Sequence, residues 1–405
     1  MLDRRRTTAL TALALVASLA ACAGGGGALA PSAASHGAIA LNQSRALPAD
    51  SPTPTPTPAP LLAQVGELLG NVVGCAASLT TAGCHLLQNA SAGATTTFQN
   101  GLGAADLRAA YGLAPVQPGA VANGPAIAVV VAYDNPNAEH DLATYRAAFG
   151  LPACTSANGC FARLFNGGAL LKPQQSAWAM ESDTDLAMAS AACPTCKLIL
   201  VESPNSEIST LAHAEDLAAA QHPVAIGNSY GVPENQQARA FASHWNHPGI
   251  AITASAGDAK TPTFPATLSS VTAVGGSVLV KDATTVRGWT EAVWGNTGAG
   301  CSATEPRPSW QTNAFGCTNR AVADVSAVAA ANPGIAIYDS NAGGWIVVNG
   351  TSVAAPFVAG LYAAAADYPA TATGAARLYA NAAHLNPLPA GTSYTLGTPN
   401  GLAAF

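Results

Sequence analysis

The sequence predicts an α/β protein built on a three-layer, doubly wound parallel sheet. Two observations predict it. From residue 101 onward, apolar strand patterns alternate with helical patterns, the mark of strand–helix–strand winding. Polar clusters then follow the strands, where open α/β sheets place their sites.

Ala104 to Tyr111 reads as a helix. Ala126 to Ala132 is apolar at every position, as a parallel strand covered on both faces requires. Asn137 to Phe149 and Gln175 to Ala192 are helical, Leu198 to Val201 a strand, and Ser206 to Ala220 a helix. Val224 to Ile226 is a strand, Glu234 to Trp245 a helix, and Ile250 to Thr253 another strand. The clusters Asn228-Ser229-Tyr230 and Ser255-Ala256-Gly257-Asp258 sit at strand ends.

With 405 residues the chain has room for one large domain or two ordinary ones. Hydrophobic residues make up 49%, enough for a large core, and only 9% of residues are charged. A net charge of −6 argues against a nucleic-acid surface. Few ionisable groups also mean few ion pairs to lose in acid, a composition compatible with work at low pH.

Residues 1–22 form an export signal. Arg4, Arg5 and Arg6 precede an apolar stretch, Ala9 to Leu19, that is short for a membrane span. The stretch ends in Leu19-Ala20-Ala21-Cys22, a lipoprotein-type cleavage box in which Cys22 would be lipidated and hold the protein at a membrane. The alternative is an ordinary small-residue cleavage site with a chance cysteine. Residues 23–60 are a Gly/Pro/Thr-rich linker, suited to tether an anchored protein. Residues 61–100 read as one or two short apolar helices (Leu61, Leu62, Val65, Leu68, Leu69) closed by Cys75 and Cys84, a segment too small to fold alone and a candidate remnant of a pro-segment. Besides Cys22 there are eight cysteines in four local couples: Cys75 and Cys84, Cys154 and Cys160, Cys193 and Cys196, Cys301 and Cys317. In an exported chain these are disulfide candidates, although sequence alone leaves the pairing open.

The chemistry centres on Gly350-Thr351-Ser352-Val353-Ala354-Ala355-Pro356. Proline is tolerated in a helix's first turn, so Ser352 is expected at or near the helix mouth. Free amides and the helix dipole there favour negative charge, which suits a nucleophile whose attack creates an oxyanion. A plain serine cap is the alternative. Glu181 and Asp185, four residues apart, share one helical face, with Asp183 turned away. Two close carboxylates share a proton at mildly acid pH, and such a pair can take a proton from a serine hydroxyl. The alternative is a solvated acidic face. Asp258, closing a strand, can donate to an oxyanion if it is protonated; otherwise it is a turn residue.

Taken in chain order, Glu181, Asp185, Asp258 and the Ser352 motif resemble the sedolisin (serine-carboxyl) peptidase family. Ala105 to Leu113, Asn228-Ser229-Tyr230-Gly231, Phe264-Pro265-Ala266, Val271 to Gly276, Ala323 to Ala327 and Gly397 to Leu402 support the resemblance, which covers roughly residues 101–405. It implies a subtilisin-like fold and endopeptidase cleavage of polypeptides at acid pH through an acyl-enzyme. It makes Ser352 the nucleophile, Glu181 the base, Asp185 its orienter and Asp258 the oxyanion donor. A monomer is expected. The family's calcium site is expected to be lost and no cofactor needed, because Asp367 is the one acidic residue after Ser352 and Gly391 to Thr395 stands where a ligand segment should be. The stretch before residue 101 is also short for the family's large propeptide.

Two other functions remain open at this stage. A neutral subtilisin-like peptidase would need a histidine base, but Asp134 is followed by no suitably placed histidine and is read as a strand-end residue. A catalytically degenerate surface binding protein would account for the missing calcium carboxylates.

Overall fold

In the computed structural model, residues 71–388 are described except 74, 76, 90–93, 99, 168–175, 312–315, 366–371, 383–384, 386–387. All fall within the unit Ala59–Phe405. The signal, the linker, Cys22, Asp367 and Gly391 to Leu402 lie outside the described residues.

The central sheet has eight strands: β1 (Ala126–Ala132), β2 (Phe161–Phe165), β3 (Lys197–Ser203), β4 (Ala225–Asn228), β5 (Ala251–Ser255), β6 (Thr272–Lys281), β7 (Trp289–Val293) and β8 (Val325–Val328). Their spatial order is β7-β6-β5-β4-β1-β3-β2, with β8 also paired to β6. All pairs are parallel except β6 with β7. β1 is central and buried along Ile127–Ala132, as its unbroken apolar run requires. Register places Val129 beside Leu200 and Gly227, and Asn228 beside Ala254. The strand ends therefore bring the two polar clusters into line.

The main helices are α1 (Ala104–Ala110), α2 (Ala138–Ala148), α3 (Ser176–Ala192), α4 (Ile208–Ala219) and α5 (Thr351–Ala365). α3 is buried from Ala179 to Ala192, acidic residues included, so the alternative of a solvated acidic face is wrong. α5 packs beside α3. Gly360 makes that approach possible, since a Cβ there would meet Ala192 Cβ at 2.5 Å. None of the helices among the described residues is long and apolar enough to cross a membrane.

Three expectations are corrected. Glu234 to Trp245 is not one helix but a short helix, Gln236–Arg239, and a 3₁₀ turn, Ala242–Trp245. Within 61–100, Leu61 to Leu69, which carry the apolar helical pattern, lie outside the described residues, and the described part is not helical: Asn71–Val73, Gly83–Cys84 and Leu87–Asn89 are strands. They do not stand apart from a domain beginning at 101. Leu87 and Gln88 pair with Asn349 and Val348, while Gly83 and Cys84 pair with Gly231 and Tyr230. The partner strands and the Cys75–Cys84 bridge hold this stretch extended, which local apolar spacing could not foretell. Finally, Pro356 lies in the second turn of α5, not the first. The carbonyl it leaves without an intrahelical donor is that of Ser352, which accepts from Ser229 Oγ at 3.3 Å.

The eight cysteines are bonded in the four local couples. Asp134 pairs with Arg163, which also reaches Glu202 at 2.7 Å, a strand-end role as expected.

Candidate active site

Ser352 is the second residue of α5, in the turn whose amides have no intrahelical acceptor. Gly350 precedes it with φ +123°, a backbone that side chains avoid. The free amides are used: Thr351 N donates to Asp258 Oδ1 at 2.9 Å, and Ser352 N donates to the backbone carbonyl of His85 at 3.0 Å.

α3 delivers the carboxylates. The Ser352 hydroxyl donates to Glu181 Oε2 over 3.0 Å, and the Ser229 carbonyl stands at the same distance. Ser229 Oγ donates to Asp185 Oδ1 at 2.5 Å. Glu181, Asp185, Ser229 and Ser352 are wholly buried. Burial, then repulsion from Asp185, holds the Glu181 carboxyl well above its usual range, against the opposing bond from Ser352. Burial also raises Asp185, with its bonds to Ser229 and Glu181 acting the other way. Glu181 Oε1 and Asp185 Oδ2 are each buried without a donor. One proton held on Glu181 and directed at Asp185 satisfies both, leaving Oε2 facing the serine.

Asp258 closes the loop after β5. Its Oδ1 accepts from Thr351 N and from Thr351 Oγ1 at 2.7 Å, while Oδ2 is buried and without a donor. Burial pushes its carboxyl up to about 7, despite the Thr351 bonds. A Cβ on Gly350 would stand 2.2 Å from His85 O and 2.6 Å from Asp258 Oδ2. The two oxygens thus share the space above Gly350. Below pH 7 the Asp258 carboxyl carries a proton and can serve as a donor there.

The four residues read from the sequence therefore come together at one site. Sequence reasoning gave no role to Thr351, which orients Asp258, or to Ser229, although both stood inside quoted motifs. It missed His85 entirely. No local signal marks that residue, which reaches the site through long-range pairing. Among the described residues no histidine ring hydrogen-bonds Ser352. His140 bonds Asp141 at 2.8 Å, and His85 Nδ1 lies 2.7 Å from Ser255 Oγ. Burial lowers the His85 imidazole to about 4, so it is neutral in all but strong acid.

A separate group, Asp141, Asp183 and Asp339, places carboxylate oxygens within 4.8 Å of one another, the spacing a cation needs. Its members bond elsewhere: Asn135 Nδ2 to Asp183, Ser340 to Asp141, and the amides of Asn341 and Ala342 to Asp339.

No protein-family model matches the chain. Kumamolisin from Bacillus sp. (strain MN-32) is 29% identical in a match 219 residues long that covers 45% of this chain. The match spans 38% of kumamolisin's own length. The Pseudomonas sedolisin, a serine-carboxyl proteinase solved with two molecules of pseudo-iodotyrostatin, superposes with a TM-score of 0.61 at 20% identity. That superposition covers 76% of this chain and 96% of the sedolisin. A psychrophilic protease, S41, superposes with a TM-score of 0.50 at 16% identity over 76% of this chain and 99% of its own.

The superpositions show that the chain has the α/β fold of these proteases. In sequence the chain is similar to kumamolisin over part of its length, and in architecture to the Pseudomonas sedolisin.

Proposed function

We propose that the protein is an exported serine-carboxyl endopeptidase, held at the cell envelope through lipidated Cys22, that hydrolyses polypeptides in acid as a monomer. The observation that carries this reading is the Ser352 hydroxyl 3.0 Å from Glu181 Oε2, with Asp185 behind it.

In this reading Ser352 Oγ attacks the substrate carbonyl carbon while its proton passes to Glu181 Oε2. The proton on Oε1 moves to Asp185, so no net charge builds up within the buried pair. The Ser352 amide and protonated Asp258 bind the developing oxyanion. Glu181 then returns a proton to the leaving amine, and the acyl-enzyme is hydrolysed by water activated the same way. Two protonated groups are required, so activity falls as pH rises through about 7, where Asp258 ionises. The reaction draws on side chains and water, with no cofactor and no nucleic acid.

The test is hydrolysis of a denatured protein by the purified chain from acid to neutral pH. Activity in acid that vanishes in Ser352→Ala and in Glu181→Gln supports the mechanism. A fully active Ser352→Ala overturns the peptidase, and a fully active Glu181→Gln overturns the carboxyl base.

A further inference from the structure

The backbone of His85 stands where a residue preceding a scissile bond would stand, and its side chain marks the pocket that such a residue enters. Gly83 and Cys84 pair antiparallel with Gly231 and Tyr230, as an extended peptide would. The His85 amide donates to the Ser229 carbonyl at 3.3 Å, the same carbonyl that faces Ser352 Oγ. The His85 carbonyl oxygen accepts from the Ser352 amide at 3.0 Å and shares the space above Gly350 with Asp258 Oδ2. With the backbone held in this way, the imidazole reaches both Gly231 and the end of β5. A Cβ on Gly231 would stand 2.8 Å from Cε1, so the bare backbone of Gly231 makes room for the ring. Nδ1 lies 2.7 Å from the hydroxyl of Ser255, the last residue of β5.

Two hydroxyls border this pocket, and they differ in their commitments. Thr263 Oγ1, which a Cβ on Gly231 would meet at 2.5 Å, is turned to the backbone carbonyls of Ser255 and Ala256 at 3.4 and 3.3 Å. Ser255 is wholly buried, and among the described residues its hydroxyl has the imidazole as its one hydrogen-bond partner. An apolar side chain in the same place would leave that hydroxyl buried and unsatisfied, which costs more than the bond itself contributes. The pocket also holds its occupant uncharged, since burial lowers the His85 imidazole to about 4. Resting on the peptidase reading above, we propose that Ser255 is a specificity-determining residue: it selects polypeptides whose residue before the scissile bond carries an uncharged, hydrogen-bonding side chain, as in asparagine, glutamine or neutral histidine. Gly231 keeps the pocket open to a side chain of that size.

The test gives the purified full-length chain, in acid, two peptides alike except for asparagine or leucine before the scissile bond. The two side chains have nearly the same shape and differ in hydrogen bonding, and product masses show which bond is cut. The asparagine peptide should have the higher kcat/KM by about ten-fold, the usual effect of satisfying one buried hydroxyl rather than stranding it. In Ser255→Ala the order should reverse in favour of leucine, because the carboxamide then loses its partner. Ser255→Thr, which keeps the hydroxyl, should still favour asparagine. Cuts mapped in a denatured protein should gather after asparagine, glutamine and histidine. A wild-type chain that cuts both peptides equally, or the leucine peptide faster, overturns the inference and leaves the peptidase standing; this comparison needs no variant to fold. So does an asparagine preference that Ser255→Ala leaves unchanged, or cutting of denatured protein mainly after leucine and phenylalanine. A chain that hydrolyses neither the peptides nor denatured protein overturns both.

Discussion

Helix α3 carries carboxylates into two buried places only a residue or two apart, and the two places differ in their partners. Glu181 and Asp185 face a serine hydroxyl on each side, Ser352 and Ser229. Asp183, between them in sequence, turns to Asp141 on α2 and Asp339 on the strand Ile335–Asp339. Burial raises Asp183 as it raises Glu181, with Asp339 and Asp141 adding to it. The partners around the second group are an asparagine amide, the His140 imidazole on Asp141, a serine that also gives its backbone amide, and two further backbone amides. These hold charge in place and have no reaction to serve. Burying like charges perturbs both places alike, so perturbation alone does not identify a catalytic site. The proposed catalytic role of the first place rests on the hydroxyl at the helix mouth.

The sharpest way to break this contrast is through rates. Ser352→Ala should lower kcat/KM by about 10⁴-fold or more and Glu181→Gln by about 10³-fold or more, because members of a nucleophile–base unit fail together. Asp183→Asn should stay within about ten-fold. Peptide hydrolysis measured beside thermal unfolding checks this, and an Asp183→Asn loss as deep as that of Glu181→Gln would erase the distinction. Asp258→Asn comes next, with a loss of about 10²- to 10³-fold, the usual effect of removing one oxyanion donor. An asparagine amide donates at every pH, so the remaining activity should lose the decline that Asp258 imposes near pH 7. An unchanged pH profile would take Asp258 out of the oxyanion site.

Much of this was legible in the sequence, for physical reasons that differ by element. β1 was readable because a strand covered on both faces must be apolar throughout. Glu181 and Asp185 were readable because a spacing of four fixes a helical face, and Asp183 was correctly turned away from them. What local pattern could not show was burial. Nothing in the acidic run of α3 says that it lies under α2, α5 and the 335–349 hairpin rather than in water. Pro356 misled for a similar reason, since its tolerance in the second turn depends on Ser229, more than a hundred residues away. The strand pairing of 83–84 to 230–231 and of 87–88 to 348–349 was not legible, because it is set by partners more than a hundred residues away.

Stability should separate the two places more gently. Glu181, Asp183, Asp185 and Asp258 all have folded-state carboxyls raised by burial, Asp258 to about 7. The folded protein therefore binds more protons than the unfolded chain above about pH 4, the ordinary carboxyl range. Stability contributed by these groups is fully present below that range and is lost as pH rises through the folded values. Tm should therefore fall by several degrees between about pH 4 and pH 8. Scanning calorimetry across that range in the Ser352→Ala background, where no self-digestion interferes, would show it. A Tm that rises toward neutral pH would mean that the carboxyls are not held as the geometry implies.

Asp183→Asn isolates the second place with the smallest change. Asparagine has nearly the shape of aspartate, keeps an oxygen for the Asn135 amide, and brings an NH₂ to the carboxylates of Asp141 and Asp339. In acid, where Asp183 is neutral anyway, the substitution should change Tm little. At about pH 8 it removes a group that must either stay buried with its charge or hold a proton against the solvent, so the variant should be more stable than the parent by about 1 kcal/mol. The slope of Tm against pH should flatten accordingly, while the pH profile of kcat/KM keeps its shape. Destabilisation at neutral pH, with a parent Tm that climbs on adding calcium, would instead show three carboxylates gathered around a cation. The contrast on α3 would then be between a proton-moving pair and a metal-binding group.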